Sequence, residues 1–295
     1  MCRRTAHADA RAPGNDNLER TMLKWLQRAA CPHALAAMPP APAATAVAQD
    51  VQDLVFERIS NARDLGGLVG AQGRRVRHGR LYRSGNPALA SDADLERLQA
   101  LGLDMVVDFR SPGEKSPGEA AFGQRFRWQA VPVLEGSMAM DVLMPRLRAS
   151  TPAQMDAFML EVYRDFPVRY RAAFGGFMQT VQGGKTLLFH CTAGKDRTGF
   201  AALLLLAALG VGQDDILANY LESNQRNAQF NAAALAQMGA LGVDAAVMMP
   251  LLEVRASYLE ASMQAIEAGW GSVGNYLHDA LQVDVAQLRA HYLAG

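Results

Sequence analysis

A buried strand, a polar loop and an apolar helix follow one another directly in the second half of this chain, and this succession restricts the fold more than any other feature. Residues 187–189 are apolar, as in a strand that is covered on both faces. Residues 198–209 are almost entirely apolar, and Gly210 ends the run as a helix stop. A buried strand followed by a buried helix predicts an α/β protein, with the loop between them at one edge of the sheet.

Strand and helix signals alternate along the chain from about residue 51. The predicted strands are 54–56, 81–83, 103–109, 130–134 and 186–190. The helix signals are a start after Ser91, a start after Ser150 or Thr151, an end near residue 181 and a helical pattern beyond Gly212. This alternation predicts one domain, residues 51–295. We expect an α/β fold with a mostly parallel central sheet flanked by helices and a helical C-terminal elaboration.

Residues 1–50 differ in composition from the rest of the chain. Residues 29–48 contain ten alanines and four prolines, so we expect a disordered Ala/Pro-rich leader. Residues 46–48 resemble a signal-peptide cleavage site, but Arg28 and the prolines interrupt the apolar segment that such a signal needs. The pattern favours a flexible extension or an early start codon over export, and therefore a cytoplasmic location over a secreted or periplasmic one.

Charge and cysteine content exclude several classes of protein. The 295 residues carry 29 basic and 29 acidic side chains, which gives no global attraction to nucleic acid. The cysteines, Cys2, Cys31 and Cys191, are too few and too scattered for a disulfide framework or a paired zinc site. The longest apolar run, residues 200–209, is far shorter than the roughly 20 residues that span a bilayer. We expect no nucleic acid partner, no metal and no transmembrane segment.

The loop after the buried strand carries the residues suited to chemistry. Residues 190–199 read HCTAGKDRTG, with Cys191 six positions before Arg197. Successive backbone N–H groups of such a turn, together with the N-terminus of the following helix, form a cradle for an anion such as phosphate. The same field favours the thiolate form of Cys191, which makes it a nucleophile. The planar guanidinium of Arg197 can bind two phosphate oxygens at once.

Neighbouring loop residues complete the predicted phosphate site. The residues assigned to phosphate binding are Thr192, Ala193, Gly194, Lys195 and Thr198. Gly194 allows the backbone to bend closely around the anion, and Thr198 can offer its hydroxyl to the sulfur of Cys191. We expect His190 to hold the loop backbone rather than to transfer protons, because a lone histidine at a strand end is usually structural.

This loop resembles the signature of the cysteine-dependent protein tyrosine phosphatases. Its Lys-Asp pair is similar to that of the atypical bacterial tyrosine and lipid phosphatases of the mycobacterial protein tyrosine phosphatase B type. Further stretches that resemble this family are 61–67 (NARDLGG), 81–84 (LYRS), 107–111 (VDFRS), 220–224 (YLESN) and 271–277 (GSVGNYL). The resemblance covers about residue 53 to the end. It implies a phosphomonoester hydrolase that forms a cysteinyl-phosphate on Cys191 and requires no cofactor.

Three aspartates are candidates for the general acid that protonates the leaving oxygen. Asp196 is the first choice, because the resemblance places an aspartate with a suspected acid/base role at this position. Asp108, at the end of a central strand, is a second candidate, although a buried ion pair that orients Arg197 or the loop explains it better. Asp141 lies where many tyrosine phosphatases carry a mobile acid loop, but residues 140–142 do not match the sequence of that loop.

Lys195 and a glycine-rich segment each allow two interpretations. Phosphoinositide phosphatases resemble this chain in having a lysine at position 195, so inositol lipids join phosphotyrosine as candidate substrates. The equal alternative is a solvated lysine that only raises the local potential. Arg63 and Asp64 could line the site, or they could form an ion pair that braces their own loop.

We therefore predict a protein tyrosine phosphatase or dual-specificity phosphatase that acts on phosphorylated proteins or phosphoinositides. One alternative is a module that binds phosphorylated ligands without turnover. Cys191 argues against it, because such a pocket needs amides and positive charge but no nucleophile. The other alternative is a thiol enzyme of the arsenate reductase kind, which usually needs further thiols, whereas Cys2 and Cys31 lie in the predicted leader. No pattern in the sequence indicates an oligomeric state.

Overall fold

A five-stranded sheet lies at the centre of the computed structural model, which describes residues 54–115, 119–134 and 140–295. The strands are β1 (Arg63–Asp64), β2 (Leu81–Ser84), β3 (Met105–Asp108), β4 (Trp128–Ala130) and β5 (Leu187–His190). Their order across the sheet is β1-β2-β5-β3-β4, and only β1 and β2 pair in antiparallel fashion. The mostly parallel sheet is thus confirmed, with β5 in the middle. The predicted leader, residues 1–50, lies outside the described residues.

Helices pack on the sheet and form most of the chain after β5. The helices of the described residues, in chain order, are α1 (Asp92–Ala100), α2 (Ala120–Arg125), α3 (Met140–Ala149), α4 (Pro152–Val168), α5 (Arg171–Gln182), α6 (Arg197–Leu209), α7 (Gln213–Leu221), α8 (Ser223–Arg226), α9 (Ala228–Ala240), α10 (Ala245–Leu252), α11 (Ala256–Trp270), α12 (Val273–Asn275) and α13 (Val285–Tyr292). A π-helical turn follows α12 at Tyr276–Ala280, and 3₁₀ turns lie at Ala71–Gly73, Pro87–Leu89 and Pro112–Glu114. The predicted helical C-terminal elaboration is confirmed. No helix in the described part of the chain is long and apolar enough to cross a membrane.

The sheet is apolar on both faces, as expected for a parallel sheet between two layers of helices. On one face Val107 and Phe189 belong to the larger apolar cluster, together with side chains of α4, α5 and α6. On the other face Val106 and Leu188 belong to a smaller cluster with side chains of α1 and α2. Because successive residues of a strand point to opposite faces, both faces of β3 and β5 are covered.

The strand–loop–helix succession that dominates the sequence is present within one residue of its predicted bounds. Every residue of α6 except Ala207 is buried, which explains why this helix has no polar face. Gly210 ends α6 in the left-handed conformation, with φ of 80°. Ser91 and Thr151 form capping boxes at the starts of α1 and α4, as their sequence patterns predict.

Residues 54–56 do not form the strand that their apolar pattern predicts. Val55 is exposed, while Leu54 and Phe56 pack against the smaller apolar cluster without pairing with a strand. The first strand of the described chain is β1 instead. An apolar run becomes a strand only where its backbone groups find a partner, and the free edge of β2 is taken by residues 63–64.

The strand predicted at residues 130–134 is shifted toward the N-terminus and lies at Trp128–Ala130. It is β4, which pairs with β3 and stops at Ala130. Pro132 has no N–H group to donate to a ladder, and Leu134 adopts a left-handed φ of 65°. The chain therefore leaves the sheet where the apolar pattern is strongest.

Candidate active site

Residues 191–196 form a loop between β5 and α6, at the carboxyl edge of the parallel strands. Cys191 is the first residue after β5 and is buried. Asp196 occupies the position before the first turn of α6, and Arg197 begins the helix. The sulfur of Cys191 and the N-terminal end of a helix therefore lie at the two ends of one short loop.

Hydrogen bonds from outside the loop hold the carbonyl groups of four consecutive loop residues. The Cys191 carbonyl oxygen lies 3.1 Å from His190 Nδ1, and the Thr192 carbonyl accepts from the backbone N–H of Asn86 at 2.9 Å. The Ala193 carbonyl accepts from the side-chain amides of Asn61 and Asn227, at 3.0 Å each. The Gly194 carbonyl accepts from the Asn61 amide at 2.8 Å and from Arg83 Nη2 at 2.9 Å. In a trans peptide the N–H group points opposite to the carbonyl group, so the N–H groups of this loop point the other way. Among the described residues, none accepts a hydrogen bond from the amides of residues 192–196. A cradle of this kind suits an anion.

Gly194 lies directly against the end of β2. Its φ is +64°, and a Cβ atom built there would lie 2.2 Å from the carbonyl oxygen of Ser84. A side chain is therefore excluded both by backbone conformation and by contact with the strand. The close approach lets Arg83, on the same strand, reach the loop carbonyl.

Arg197 is fixed by a carboxylate that the sequence did not single out. Its Nη1 and Nη2 atoms donate to the two oxygens of Glu114, each at 2.7 Å. Nη1 also lies 3.3 Å from the carbonyl oxygens of Phe109 and Val133. Burial opposes the charged guanidinium, but its hydrogen bonds to Glu114 and the proximity of Cys191 raise the pKa of Arg197 above its ordinary value. The arginine is therefore charged and oriented in advance.

Glu114 connects this arginine to the loop itself. Its Oε1 atom accepts from Thr192 Oγ1 at 2.8 Å, and its Oε2 atom accepts from the backbone N–H of Ser111 at 2.9 Å. Burial alone raises the pKa of Glu114, but hydrogen bonds and the charge of Arg197 lower it below its ordinary value. The sequence contained a pattern that could have drawn attention to Glu114. Residues 111–114 read Ser-Pro-Gly-Glu, a capping-box pattern that follows shortly after β3, the strand beside β5.

Asp108 is buried among cations other than Arg197. Its carboxylate contacts Arg110 through Nε (3.0 Å) and Nη2 (3.1 Å), and Lys115 Nζ lies 3.0 Å away. Burial raises its pKa, but the proximity of His190 and the hydrogen bonds and charge of Arg110 lower the pKa of Asp108 overall. The expected buried ion pair is present, but it holds Arg110 and not Arg197.

His190 lies under the loop and has no contact with solvent. Its Nδ1 atom is 3.1 Å from the carbonyl oxygen of Cys191, and its Nε2 atom has no hydrogen-bond partner among the described residues. Burial opposes the imidazolium and lowers the pKa of His190 to about 4, despite the proximity of Asp108. At neutral pH this side chain is an uncharged support for the loop.

Asp196 and Lys195 form an ion pair at the end of the loop. Lys195 Nζ lies 2.8 Å from Asp196 Oδ2 and 3.3 Å from the carbonyl oxygen of Glu253, and only 3% of Lys195 is exposed. The alternative of a solvated lysine at the rim is therefore wrong. Asp196 Oδ1 also accepts a hydrogen bond from the hydroxyl of Tyr163 at 2.8 Å.

Arg63 and Asp64 brace the loops near the site, but they do not pair with each other. Arg63 Nη1 donates to Asn61 Oδ1 at 2.5 Å, and its Nε atom lies 3.4 Å from Glu222. The carboxylate of Asp64 accepts from two glycine N–H groups at 2.9 and 2.8 Å. Arg63 thus acts through Asn61, the residue that holds two loop carbonyls.

Two further predicted residues have contrasting surroundings. Thr198 lies in the first turn of α6 and is fully buried, and its Oγ1 atom has no hydrogen-bond partner among the described residues. Asp141 belongs by its backbone to α3, a helix and not an extended acid loop. Within the described chain, no group of three or more His, Cys, Asp or Glu side chains is arranged to hold a metal ion.

Sequence comparisons relate most of the chain to proteins with a named activity. A sequence profile described as "Tyrosine phosphatase family" matches residues 54–294. A protein of Cupriavidus necator, named as a candidate tyrosine-protein phosphatase, is 83% identical over 274 residues, which are 93% of this chain and 100% of the relative. The triple specificity protein phosphatase PtpB of Mycobacterium tuberculosis is 33% identical over 239 residues, which are 70% of this chain and 87% of the relative.

A comparison of structures finds TpbA of P. aeruginosa. The aligned part covers 50% of this chain and 71% of that protein, at 23% sequence identity and a TM-score of 0.28.

Proposed function

This chain belongs to the tyrosine phosphatase family, and from that premise we propose that Cys191 and Arg197 carry its phosphatase reaction. The Cys191 thiolate attacks phosphorus, the S–P bond forms and the bond to the leaving oxygen breaks. The loop amides and Arg197 bind the three remaining phosphate oxygens, on which charge develops. Water then attacks the cysteinyl-phosphate, the S–P bond breaks, and inorganic phosphate leaves.

The orientation of the four loop carbonyls is the observation that carries this proposal. With these carbonyls bound from outside, the N–H groups of the loop have no acceptor among the described residues, next to a buried cysteine. Fixed donors of this kind stabilise developing charge without reorganising during the reaction. The bidentate contact of Arg197 with Glu114 extends the same preorganisation to the guanidinium.

Asp196 is our proposed general acid and base. In the first step its carboxyl gives a proton to the leaving oxygen, and in the second step its carboxylate takes one from water. Its position at the N-terminal end of α6, with 15% of the side chain exposed, supports this role. We assign Asp108 to scaffolding, because its carboxylate is fully buried between Arg110 and Lys115.

Phosphotyrosine is the proposed first substrate, and phosphoserine, phosphothreonine and phosphoinositides form a second class. The mycobacterial relative is named a triple specificity phosphatase, which supports the wider range. The surroundings of Lys195 favour the narrower substrate range, phosphotyrosine. Its ammonium group is buried and paired with Asp196, so it binds an inositol phosphate only after that pair opens.

Replacement of the nucleophile tests the proposal directly. We expect Cys191→Ser to abolish hydrolysis of p-nitrophenyl phosphate while phosphate binding, measured by calorimetry, stays close to that of the wild type. A chelator should leave the wild-type rate unchanged. Turnover of the serine variant at the wild-type rate would contradict the assignment of Cys191.

The acid is tested with two substrates that differ only in leaving group. We expect Asp196→Asn to reduce kcat mainly for phenyl phosphate, a poor leaving group, and much less for p-nitrophenyl phosphate. Asp108→Asn serves as the comparison, and it should affect both substrates alike. A selective loss in Asp108→Asn together with none in Asp196→Asn would reverse the assignment.

A further inference from the structure

Two buried tyrosines stand behind the loop aspartate and form a chain of hydrogen bonds that ends on it. The Tyr220 hydroxyl donates to the Tyr163 hydroxyl at 2.7 Å, and Tyr163 donates to Asp196 Oδ1 at 2.8 Å. Both tyrosines are buried, on α7 and α4 respectively. The three groups come from three elements that are distant in sequence, so their alignment is a property of the fold.

We propose that Tyr163 is a positioning residue that orients the carboxylate of Asp196, and that Tyr220 fixes the hydroxyl of Tyr163. The inference rests on the proposed acid and base role of Asp196. In this proposal neither tyrosine touches the reacting atoms, because both act through the carboxylate of Asp196.

The direction of the hydrogen bonds determines their effect. Tyr163 donates its only proton to Asp196, and it can do so consistently because its own oxygen accepts from Tyr220. A donor to the carboxylate stabilises its charged form. Burial, and the negative charge of Asp196 close by, raise the pKa of Tyr163 well above its ordinary value, so the hydroxyl keeps its proton and remains a donor throughout the working range of pH.

The groups that face Asp196 come from every element around it. They are Lys195 from the loop, Arg197 from α6, Tyr163 from α4, Tyr220 from α7 and Tyr258 from α11. Of these, Lys195 and Tyr163 hold the carboxylate by hydrogen bonds. Lys195 stabilises the carboxylate by its charge, whereas Tyr163 supplies a neutral donor whose position the core fixes.

Packing keeps the tyrosine pair in register with the loop. A Cβ atom built on Gly199, in the first turn of α6, would lie 2.9 Å from the Tyr220 ring, so the ring lies directly against the helix that starts at the site. The Tyr163 ring contacts the rings of Phe166 and Tyr258 at 5.0 and 5.5 Å between centroids. Removal of a hydroxyl alone therefore leaves the rings in place and deletes only the polar contact.

The test compares Tyr163→Phe and Tyr220→Phe with a matched control, Tyr276→Phe. The Tyr276 hydroxyl is also buried and donates to a carbonyl of α4, that of Pro167, at 2.9 Å. The readouts are kcat and KM for phenyl phosphate and p-nitrophenyl phosphate across a range of pH. For Tyr163→Phe we expect the basic limb of kcat/KM for phenyl phosphate to move up by about half to one pH unit. In the same variant we expect kcat at the optimum to fall severalfold, with KM unchanged.

Tyr220→Phe should move the limb in the same direction and by less, and Tyr276→Phe should not move it. Asp196→Asn, measured beside them, separates this inference from the proposed function. If that variant loses activity on phenyl phosphate and Tyr163→Phe keeps the profile of the Tyr276→Phe control, the tyrosine assignment is wrong and the acid assignment stands. If Asp196→Asn loses nothing, both are overturned, whatever Tyr163→Phe does.

Discussion

Two buried arginines reach the loop that carries the cysteine, and their partners differ in charge. Arg83 donates to the amide oxygen of Asn219 and to the carbonyl of Gly194, and burial lowers the pKa of Arg83 to about 10. Arg197 instead has the carboxylate of Glu114, which raises its pKa. At the scale of single residues, the two arginines therefore differ in their partners: Arg197 faces a carboxylate, whereas neutral amide and carbonyl oxygens accept from Arg83.

Replacement of Glu114 should impair catalysis without removing any atom from the phosphate cradle. Glu114→Gln keeps the shape of the side chain but loses its charge and one of its two acceptors for Arg197. We expect kcat/KM for p-nitrophenyl phosphate to fall about tenfold to a hundredfold, as for the loss of one hydrogen bond between charged groups. Glu267→Gln, at an exposed position of α11, is the control. Equal rates in the two variants would show that Arg197 needs no carboxylate.

Gly194 should tolerate no side chain, for two separable reasons. Gly194→Ala brings both a left-handed backbone and a clash with the Ser84 carbonyl, whereas Gly102→Ala has nearly the same φ, +63°, with no atom within 4 Å. We expect Gly102→Ala to cost about 1–2 kcal/mol of unfolding free energy in urea titrations and to stay active. Gly194→Ala should cost more and lose activity. Equal losses of stability would mean that the close contact is relieved by movement of the loop.

The sequence identified the loop residues because they are contiguous, and it failed where contacts are distant. Cys191, Arg197 and Asp196 lie within one decapeptide, so their neighbourhood needs no knowledge of the fold. The carboxylate on Arg197 comes from residue 114, and the amides that hold the loop carbonyls come from residues 61 and 227. The register of parallel strands and the packing of helices decide these contacts. The capping-box pattern at residues 111–114 predicts a turn but does not predict its contact with Arg197.

At the scale of elements, one buried aspartate joins the start of α1 to the segment before β1. Asp94 is in the capping box with Ser91, and its carboxylate also accepts from the backbone N–H groups of Glu57 and Arg58 at 2.7 and 2.9 Å. The side chain thus fixes residues 54–58, which form no strand of their own. The cap was predictable from its pattern, but this second use of the same carboxylate was not.

Loss of the Asp94 carboxylate should destabilise the protein more than an ordinary cap does. Asp94→Ala leaves several backbone donors without their acceptor, and we expect a loss of roughly 2–3 kcal/mol in unfolding free energy, where a cap alone is worth about 1 kcal/mol. Asp92→Ala, exposed in the same first turn, is the matched control and should change the stability by less than about 0.5 kcal/mol. Similar urea midpoints in the two variants would contradict the structural role of Asp94.

At the scale of the whole molecule, the protein should lose stability in mild acid because of one buried histidine. The folded-state pKa of His190 is about 4, below the ordinary value of about 6.5 that the unfolded chain has. As pH falls from about 6.5 to 4, the unfolded chain binds a proton that the folded protein does not, so the stabilisation present above pH 6.5 is lost. We expect a loss on the order of 3 kcal/mol, measured by urea unfolding at successive pH values.

His190→Asn provides the control, since an asparagine amide can still contact the Cys191 carbonyl but does not titrate. Its stability should change less between pH 6.5 and 4 than that of the wild type. Below about pH 4 both proteins should weaken further, because Asp108 and Glu114 have lowered pKa values and lose their ion pairs on protonation. Parallel curves throughout would show that another group causes the acid sensitivity.

Alternation of strands and helices predicted the α/β class and the helical C-terminal part, but it did not predict the strand order. That order places β5 between β2 and β3 and turns β1 antiparallel at one edge. Which strands pair depends on the relative free energies of alternative strand orders of the complete sheet. The apolar runs at 54–56 and 130–134 show the limit, because apolar residues supply burial while partner edges and Pro132 decide where the ladder runs.

The central place of β5 has a practical consequence for anyone who handles this protein. The loop with the cysteine follows the central strand of the sheet, which must lose its parallel pairing with both β2 and β3 before it can separate. We therefore expect denaturant to remove activity and tertiary structure together. The rate of hydrolysis of p-nitrophenyl phosphate should decline along the same denaturation curve as tryptophan fluorescence. An activity assay with a chromogenic substrate then reports the fraction of molecules in the sample that are folded.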